Sequence, residues 1–239
     1  MNIHILTMFP KMFDSFLYSP IIKRAQDKNI VKINIIDIKD FASGSFRHID
    51  DSPYGGGAGM IIKIDVITKA LESCKKPESK TMLLTPIGKQ YDQEQAVKLT
   101  REKELILICG HYEGIDARIE SKVDDMISIG DYVLSGGEIA AMAITDSIVR
   151  LFPNVLKDES TKEESLNDHL LEYPQYTKPA SFQNDSVPEV LLSGHHEKIR
   201  RWRRKQSLKR TQKLRPDLFK KHQFTKEDYE LLKEIEDDE

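Results

Sequence analysis

The chain has 239 residues, of which 39% are hydrophobic and 31% charged, and this balance argues against wholesale disorder. The formal net charge of −3 by itself indicates no nucleic-acid partner, although it conceals a local asymmetry near the C-terminus. Two cysteines without a CxxC pair argue against a zinc site or a disulfide framework, and the lack of long apolar runs or signal-peptide features predicts a soluble, cytoplasmic protein without membrane contact.

Strand-like and helix-like segments alternate through the first 156 residues. Ile-rich or continuously apolar runs predict strands, and apolar residues at helical spacing predict the helices between them. The predicted strands cover residues 3–8, 32–38, 81–86 and 105–110, and the predicted helices lie within 10–29, around 96–99, and over 65–76 and 139–152. This alternation is typical of an α/β fold with a mainly parallel sheet.

The character of the chain changes after Pro153. Residues 157–172 contain six acids against two lysines and almost no core residues, which predicts a mobile acidic linker or lid. Residues 173–182 are punctuated by prolines and are expected to be extended, and the remainder is expected to be helical. We therefore predict three parts: a cofactor-binding domain at 1–156, the linker at 157–172, and a smaller C-terminal domain at 173–239.

A strongly basic run lies between residues 193 and 222, with twelve Lys and Arg against two acids. Such a run usually forms a solvated helix face, but its length, single sign and lone tryptophan favour an RNA-binding surface. Arg201 and Arg204 are expected to contact phosphates. The apolar residues at helical spacing, which should face inward, are Ile199, Trp202, Leu208 and Leu214.

Three glycine-containing loops follow apolar segments, at residues 83–88, 109–114 and 128–138. Open α/β sheets bind ligands at the carboxyl ends of their strands, and glycine lets the backbone approach a ligand closely. One such loop alone would be interpreted as a turn, whereas three together predict a binding site. The chain lacks both a P-loop and a GxGxxG motif, and "YGGGAGM" at 54–60 has no surrounding β-α unit, so a standard nucleotide-phosphate site is not expected.

Seven stretches resemble, in order and in spacing, the motifs of the bacterial tRNA (guanine-N1)-methyltransferase family, TrmD, of the trefoil-knot (SPOUT) superfamily. They are "ILTMFPKMF" (5–13), "DDSPYGGGAGM" (50–60), "CGHYEGIDAR" (109–118), "SIGDYVLSGGE" (128–138), "DSIVRLFPNVL" (146–156), "EYPQYTKP" (172–179) and "VLLSGHHEKIRRWRRKQSLKRT" (190–211). The resemblance implies a sheet with a deep trefoil knot, a rare exception to unknotted topology, followed by an all-helical C-terminal domain.

The same resemblance implies methyl transfer from S-adenosylmethionine to N1 of guanosine-37, next to the anticodon of tRNA. It implies a homodimer whose active site is shared between subunits. The alternatives are a related trefoil-knot ribose 2′-O-methyltransferase, whose chemistry gives no reason for a linker carboxylate, and a non-catalytic RNA-binding protein, which gives no reason for three loops that fit a methyl donor.

The resemblance also places S-adenosylmethionine on the three loops. Leu84, Thr85 and Pro86 would line the adenosine, and a second wall would be formed by Gly110, Tyr112, Glu113 and Gly114. The residues that close over adenine and methionine would be Ile129, Gly130, Asp131, Tyr132, Val133, Leu134, Gly136 and Gly137. Two residues depart from the family pattern, Ala140 for Pro and His111 for Arg. A Gly137→Val substitution is expected to block the pocket and to leave the fold intact.

The chemistry requires a base and a cation. Guanine N1 must lose its proton to attack a methyl group, and negative charge then spreads to O6. The resemblance assigns the base to Glu164, a departure from the family's Asp, because it precedes Ser165, with Asp168 as the fallback and a solvated linker acid as the alternative. It assigns Arg150 to O6, although a snorkelling surface arginine is the simpler interpretation of that residue. Linker acids, with Glu113 and Glu172, are candidates to hold Mg²⁺ near the methionine carboxylate.

Overall fold

The computed structural model describes residues 1–44, 48–156, 166 and 168–237. The chain divides into two compact units, Met1–Lys157 and Asp158–Glu239. No helix within the described ranges is both long and apolar enough to cross a membrane.

The first unit is built on a five-stranded parallel sheet. Its strands, in spatial order, are β2 (Lys32–Asp37), β1 (Asn2–Thr7), β6 (Glu104–Cys109), β5 (Ser79–Gln90) and β7 (Asp125–Ser128). The α-helices described in this unit are α1 (Asp14–Leu17), α2 (Pro20–Asp27), α3 (Ile64–Glu72), α4 (Gln93–Leu99) and α5 (Glu138–Val149). The predicted α/β class with a parallel sheet is confirmed. The knot stays a prediction, because strand order and register do not by themselves specify how the chain is threaded.

Strand β5 is longer than its apolar pattern predicts. Leu84 and Lys89 both pair with Ile127 of β7, so residues 85–88 leave the ladder while the strand continues beyond them. Residues outside the ladder need not donate a backbone hydrogen bond to the neighbouring strand. Pro86, which has no backbone N–H, is therefore accommodated in this segment. The first glycine loop is therefore a wide bulge inside a strand, and the apolar pattern ends where the bulge begins.

The apolar core occupies both faces of the sheet, and β6 shows why. All six residues of β6 are buried, with Leu105 and Leu107 in the cluster that includes α2 and α5. Ile106 and Ile108 belong to the other cluster, on the side of α3. Successive strand residues point to opposite faces, so a strand covered on both sides reads as a continuous apolar run.

A two-stranded antiparallel ribbon, β3 (Asp50–Asp51) with β4 (Ile61–Ile62), lies beside the main sheet. Its strands are too short for a period-2 pattern, and neither was predicted. The main-chain N–H of Ile62 donates to the carbonyl of Gly114 at 3.1 Å, and that of Glu113 donates to Met60 at 3.2 Å. The ribbon therefore fastens the loop that follows β6.

In the described part of the second unit, residues 170–180 form neither helix nor strand, and a hairpin of β8 (Ser181–Phe182) and β9 (Asp185–Ser186) precedes the helices. Its helices are α6 (Glu189–Leu192), α7 (His196–Leu214), α8 (Pro216–Phe219) and α9 (Lys226–Asp237). Leu208 of α7 is fully buried as expected, and Ile199 and Trp202 are partly buried. The prediction for Leu214 is wrong, because it ends α7 and is 56% exposed.

Candidate active site

A cleft of about 350 Å³ opens in the first unit at the bulge of β5 and at the carboxyl ends of β6 and β7. Its volume lies in the range of pockets that hold small molecules and cofactors. Among the predicted cofactor residues, only Asp131 is not part of its wall. The wall includes Leu84, Thr85, Pro86, Gly110, Tyr112, Glu113, Gly114, Ile129, Gly130, Tyr132, Val133, Leu134, Gly136 and Gly137.

The loop after β6 forms one wall of the cleft. Tyr112 has a φ of 59° and Gly114 a φ of 120°, so the chain turns sharply here and presents Tyr112 at 48% exposure. The main-chain N–H of Tyr112 donates to Nδ1 of His111 at 2.9 Å, and the His111 ring packs 4.7 Å from that of Phe9. His111 therefore shapes this wall, a role that its place inside the loop motif could have indicated.

The third loop runs under the cleft and into α5. Gly137 has an ordinary φ of −77°, and its N–H donates to the carbonyl of Gly110 at 2.8 Å. A Cβ atom at Gly137 would lie 2.8 Å from Cα of Cys109, which is backbone and cannot turn aside. The expectation that Gly137→Val leaves the fold intact is therefore wrong: this glycine is required where the two chain segments meet.

Gly88 performs the same task at the first loop. A Cβ atom there would lie 2.3 Å from the backbone nitrogen of Ile127 on β7. Gly110, by contrast, has nothing nearer than 3.7 Å, the distance to the carbonyl oxygen of Leu84. The lack of a side chain at Gly110 therefore leaves space in the cleft. At Gly88 and Gly137 it instead allows two backbone segments to pack closely against each other.

A buried carboxylate stands below the cleft at the start of α5. Glu138 is only 2% exposed, and its Oε1 accepts a hydrogen bond from the Thr7 hydroxyl at 2.7 Å. Burial and the charge of Glu138 raise the pKa of the Cys109 thiol well above its usual range. Cys109 is thus a neutral packing residue, and the Glu138–Thr7 bond ties α5 to the end of β1.

Arg150 lies at the other end of α5 from the cleft. It is the residue directly after this 12-residue helix and is partly buried. With a rise of about 1.5 Å per residue, roughly 20 Å of helix separate it from Gly137. Arg150 does not contribute to the cleft wall of its own chain.

The predicted base, Glu164, lies outside the described residues, as does Ser165. The fallback base, Asp168, is described: its carboxylate is 60% exposed and lies 3.4 Å from two guanidinium nitrogens of Arg204. Of the candidate Mg²⁺ ligands, Glu113 lines the cleft and Glu172 accepts a hydrogen bond from Gln175. Across the described part of the chain, no group of three or more His, Cys, Asp or Glu side chains is arranged to hold a metal ion.

The basic run of the second unit is partly neutralised by the acidic helix α9. Arg200 pairs with Glu227 at 2.6 Å, Arg201 pairs with Glu234, and Arg204 pairs with Asp228 at 2.7 Å. Arg201 and Arg204, expected to face phosphates, therefore have carboxylate partners within their own unit. Five cations have no ion pair with any described residue: Lys198, Arg210, Lys213, Lys220 and Lys221.

Comparison with known proteins gives a consistent result. Residues 1–221 match the family model described as tRNA (Guanine-1)-methyltransferase TrmD. A tRNA (guanine-N(1)-)-methyltransferase from Syntrophomonas wolfei is 54% identical over 236 residues, which cover 98% of this chain and 97% of the relative. Proteins of the same name from Dictyoglomus turgidum and Carboxydothermus hydrogenoformans are 51% and 53% identical, covering 98% and 97% of this chain and 96% and 92% of the relatives.

Proposed function

The chain belongs to the tRNA (guanine-1)-methyltransferase TrmD family, and on that premise we propose that it transfers a methyl group from S-adenosylmethionine to N1 of guanosine-37 in tRNA. The observation that carries this proposal is the cleft itself. Three separate loops meet at the bulge of β5 and at the carboxyl ends of β6 and β7, and they enclose about 350 Å³. This is the place where an open α/β sheet holds a ligand.

The residues of the cleft fit S-adenosylmethionine. Leu84, Ile127 and Leu134 offer apolar surface for an adenine ring, and the loop backbones offer N–H and C=O groups for its edge. Gly110 leaves space that a larger side chain would fill. The bound cofactor supplies an electrophilic methyl group on a sulfonium, and the protein's task is to hold the target base against it and to exclude water.

The target nitrogen must lose a proton for the transfer. The carboxylate of Glu164 is proposed to accept this proton, since guanine N1 is a poor nucleophile while protonated. Negative charge then develops on O6. We assign its stabilisation to Arg150, whose planar guanidinium can donate two hydrogen bonds. The base must also leave its stack in the anticodon loop to reach a recessed cofactor.

The position of Arg150 supports a shared active site. One helix length separates it from the cleft of its own chain, so a second copy must bring its Arg150 to this cleft if the residue is to act there. We therefore propose a homodimer in which each active site combines the cleft of one subunit with catalytic groups of the other. Mixed dimers test this: one subunit carries Arg150→Ala and the other a blocked cleft, and such pairs should retain one working site.

The second unit would bind the tRNA backbone. The five cations that form no ion pair with a described residue are the candidates for phosphate contacts, and we expect the enzyme to act with its substrate in the cytoplasm. A requirement for Mg²⁺ stays a prediction; titration of the metal into a chelator-treated transfer assay tests it.

The product decides between the alternatives. The purified protein is incubated with labelled S-adenosylmethionine and tRNA transcripts that carry either G or A at position 37. N1-methylguanosine at position 37, and none on the A37 transcript, is the expected result. A ribose 2′-O-methyl product would establish the related trefoil-knot activity instead, and tRNA binding without cofactor binding would establish a non-catalytic RNA-binding protein.

Two substitutions test the catalytic assignments. Glu164→Gln should lose about 10²–10⁴-fold in single-turnover rate, with cofactor affinity nearly unchanged, and a higher pH should restore part of the rate. Glu159→Gln, in the same acidic segment, is the matched control and should keep the parent rate. Arg150→Ala should lose a similar factor without rescue by pH, and Arg150→Lys should recover only part of it. A parent rate for Glu164→Gln at every pH would refute the assignment of the base.

A further inference from the structure

The C-terminal end of the acidic linker is attached to the helical unit at several points. Leu170 is 5% exposed and packs with Leu208, Leu231 and Ile235. The main-chain N–H of Leu171 donates to the Thr211 hydroxyl at 2.8 Å. These contacts hold the chain immediately after Asp168 against α7 and α9.

Asp168 itself is held through its backbone. The carbonyl oxygen of Asp168 accepts a hydrogen bond from Nδ1 of His222 at 2.7 Å. Its carboxylate adds only a looser contact, 3.4 Å from Arg204, and remains 60% exposed. The backbone bond is therefore the more specific of the two attachments.

The neighbours of His222 favour the tautomer that makes this bond. Nη2 of Arg204, which can only donate, lies 3.2 Å from Nε2 of His222. Oδ2 of Asp228 lies 3.3 Å from the same nitrogen, but it already accepts from Arg204 and from the main-chain N–H of Thr225. In the neutral ring, Nε2 therefore accepts and Nδ1 carries the hydrogen that the Asp168 carbonyl receives. The His222 side chain is fully buried, so no water competes for either nitrogen.

Asp228 completes the support of His222 and Arg204. It is fully buried, and its carboxylate accepts from Nε of Arg204 at 2.7 Å and from the main-chain N–H of Thr225 at 2.8 Å. Burial alone would raise its pKa, but the bonds from Arg204 and Thr225 more than offset this and hold the pKa well below its usual range. The main-chain N–H of Asp228 returns a bond to the Thr225 hydroxyl, a reciprocal cap that starts α9.

We propose that His222, fixed by Arg204 and Asp228, is a positioning residue for methyl transfer, because it anchors the chain at Asp168, four residues after Glu164. The inference rests on the proposed function, in which Glu164 is the base. Four residues of chain span at most about 14 Å, so an anchor at Asp168 restricts the volume in which the Glu164 carboxylate can lie. The same geometry assigns the backbone carbonyl of Asp168 to the anchor.

The first test compares two substitutions of His222. His222→Ala removes the donor to the Asp168 carbonyl and should lower the single-turnover rate about 10- to 100-fold, the range expected for a misplaced catalytic group. His222→Asn keeps an N–H at the position of Nδ1 and should restore most of that rate. Affinity for S-adenosylmethionine should not change in either variant, and fluorescence of Trp202, the single tryptophan, checks that the helical unit is folded at the assay temperature.

The second test asks whether His222 acts through Glu164. Residues that act as a unit are non-additive, so His222→Ala should cause no further loss of rate in a Glu164→Gln background. Equal losses in both backgrounds, with Glu164→Gln itself impaired, would overturn the positioning role alone. A Glu164→Gln variant at the parent rate would instead overturn the base assignment.

Asp168→Asn separates the two roles of that residue. It keeps the backbone carbonyl and removes only the exposed carboxylate, so it should lose far less rate than Glu164→Gln, because exposed ion pairs contribute little. Loss of activity comparable with that of Glu164→Gln would show that the Asp168 carboxylate takes part in the reaction and would overturn the role of the anchor in placing Glu164.

Discussion

The two units of the chain are stabilised by different means. The first buries apolar side chains on both faces of a parallel sheet. Among its described residues, the second has a core cluster of four buried apolar side chains, Leu170, Leu208, Leu231 and Ile235, and arginine–carboxylate pairs between α7 and α9. Small units bury proportionally less surface, so polar contacts carry more of their stability.

Because of this difference, the basic residues of the second unit cannot all be interpreted as nucleic-acid contacts. In the second unit, Arg200, Arg201 and Arg204 face acids of α9, and the acidic C-terminal segment does more than lower the net charge. The basic run therefore contains two classes of cation, those paired with carboxylates of their own unit and those open to a polyanion. Substitutions in each unit should separate the two modes of stabilisation.

The largest effect is expected from Asp228→Ala in the second unit. The change leaves Arg204 facing a buried site without its carboxylate, and breaking such a pair costs about 3–5 kcal/mol. Urea unfolding followed by Trp202 fluorescence measures it. The control, Asp217→Ala, removes an exposed pair with Arg215 and should cost at most about 1 kcal/mol. Equal effects of the two variants would show that the buried network does not stabilise this unit.

In the first unit, the corresponding change is steric. Gly137→Ala forces a Cβ atom against Cα of Cys109, so the variant should lose about 1–3 kcal/mol of stability and should bind S-adenosylmethionine weakly. Gly110→Ala, whose Cβ meets only ordinary contacts, should keep the stability of the parent. Thermal unfolding and calorimetry of cofactor binding distinguish the two variants. A stable Gly137→Ala protein would contradict the close approach of these segments.

The first unit also contains a buried carboxylate, Glu104, at the amino-terminal ends of β1 and β6. Burial would raise the pKa of Glu104, but hydrogen bonds from Lys76, Asn2 and His4 lower it to about 2. A depressed carboxyl pKa stabilises the fold above its ordinary value of 4.5 and loses that contribution as the pH falls toward about 2. Glu104→Gln should cost about 1.5–3 kcal/mol at neutral pH and progressively less below pH 4.5.

Hydrogen exchange of peptides from β1 and β6, compared at pH 7 and pH 3 after correction for intrinsic rates, measures this effect of Glu104. A difference between parent and variant that is the same at both pH values would show that the Glu104 charge is not linked to folding.

The smallest effect concerns tRNA binding by the second unit. Replacing Arg210 and Lys213 by Ala should lower the slope of log affinity against log salt by about 0.7–0.9 for each phosphate that the variant no longer neutralises. Arg200→Ala should leave that slope unchanged, because its guanidinium is paired with Glu197 and Glu227. Fluorescence anisotropy with labelled tRNA gives both slopes. Equal changes would mean that the paired arginines exchange their carboxylates for phosphates.

Much of the fold follows from local patterns. The predicted strands of the first unit match β1, β2, β5 and β6 within a few residues, because apolar runs report burial directly. The pattern missed β7, a four-residue strand, and extended α3 to residue 76 although it ends at Glu72. Short elements and helix ends depend on tertiary contacts more than on residue type, so they are the parts that sequence locates least well.

The sequence by itself determined which loops could form a site, because glycine at the ends of apolar strands is a local requirement. The tertiary structure alone decided what each glycine is for: Gly110 gives space to the cleft, whereas Gly88 and Gly137 permit two backbones to meet. The tertiary structure also decided which arginines are available to a ligand. In the sequence, an arginine that pairs with Glu234 of another helix cannot be distinguished from one that faces solvent. Pairing across 24 to 33 residues is a long-range contact, and residue type and spacing along one helix carry no information about it.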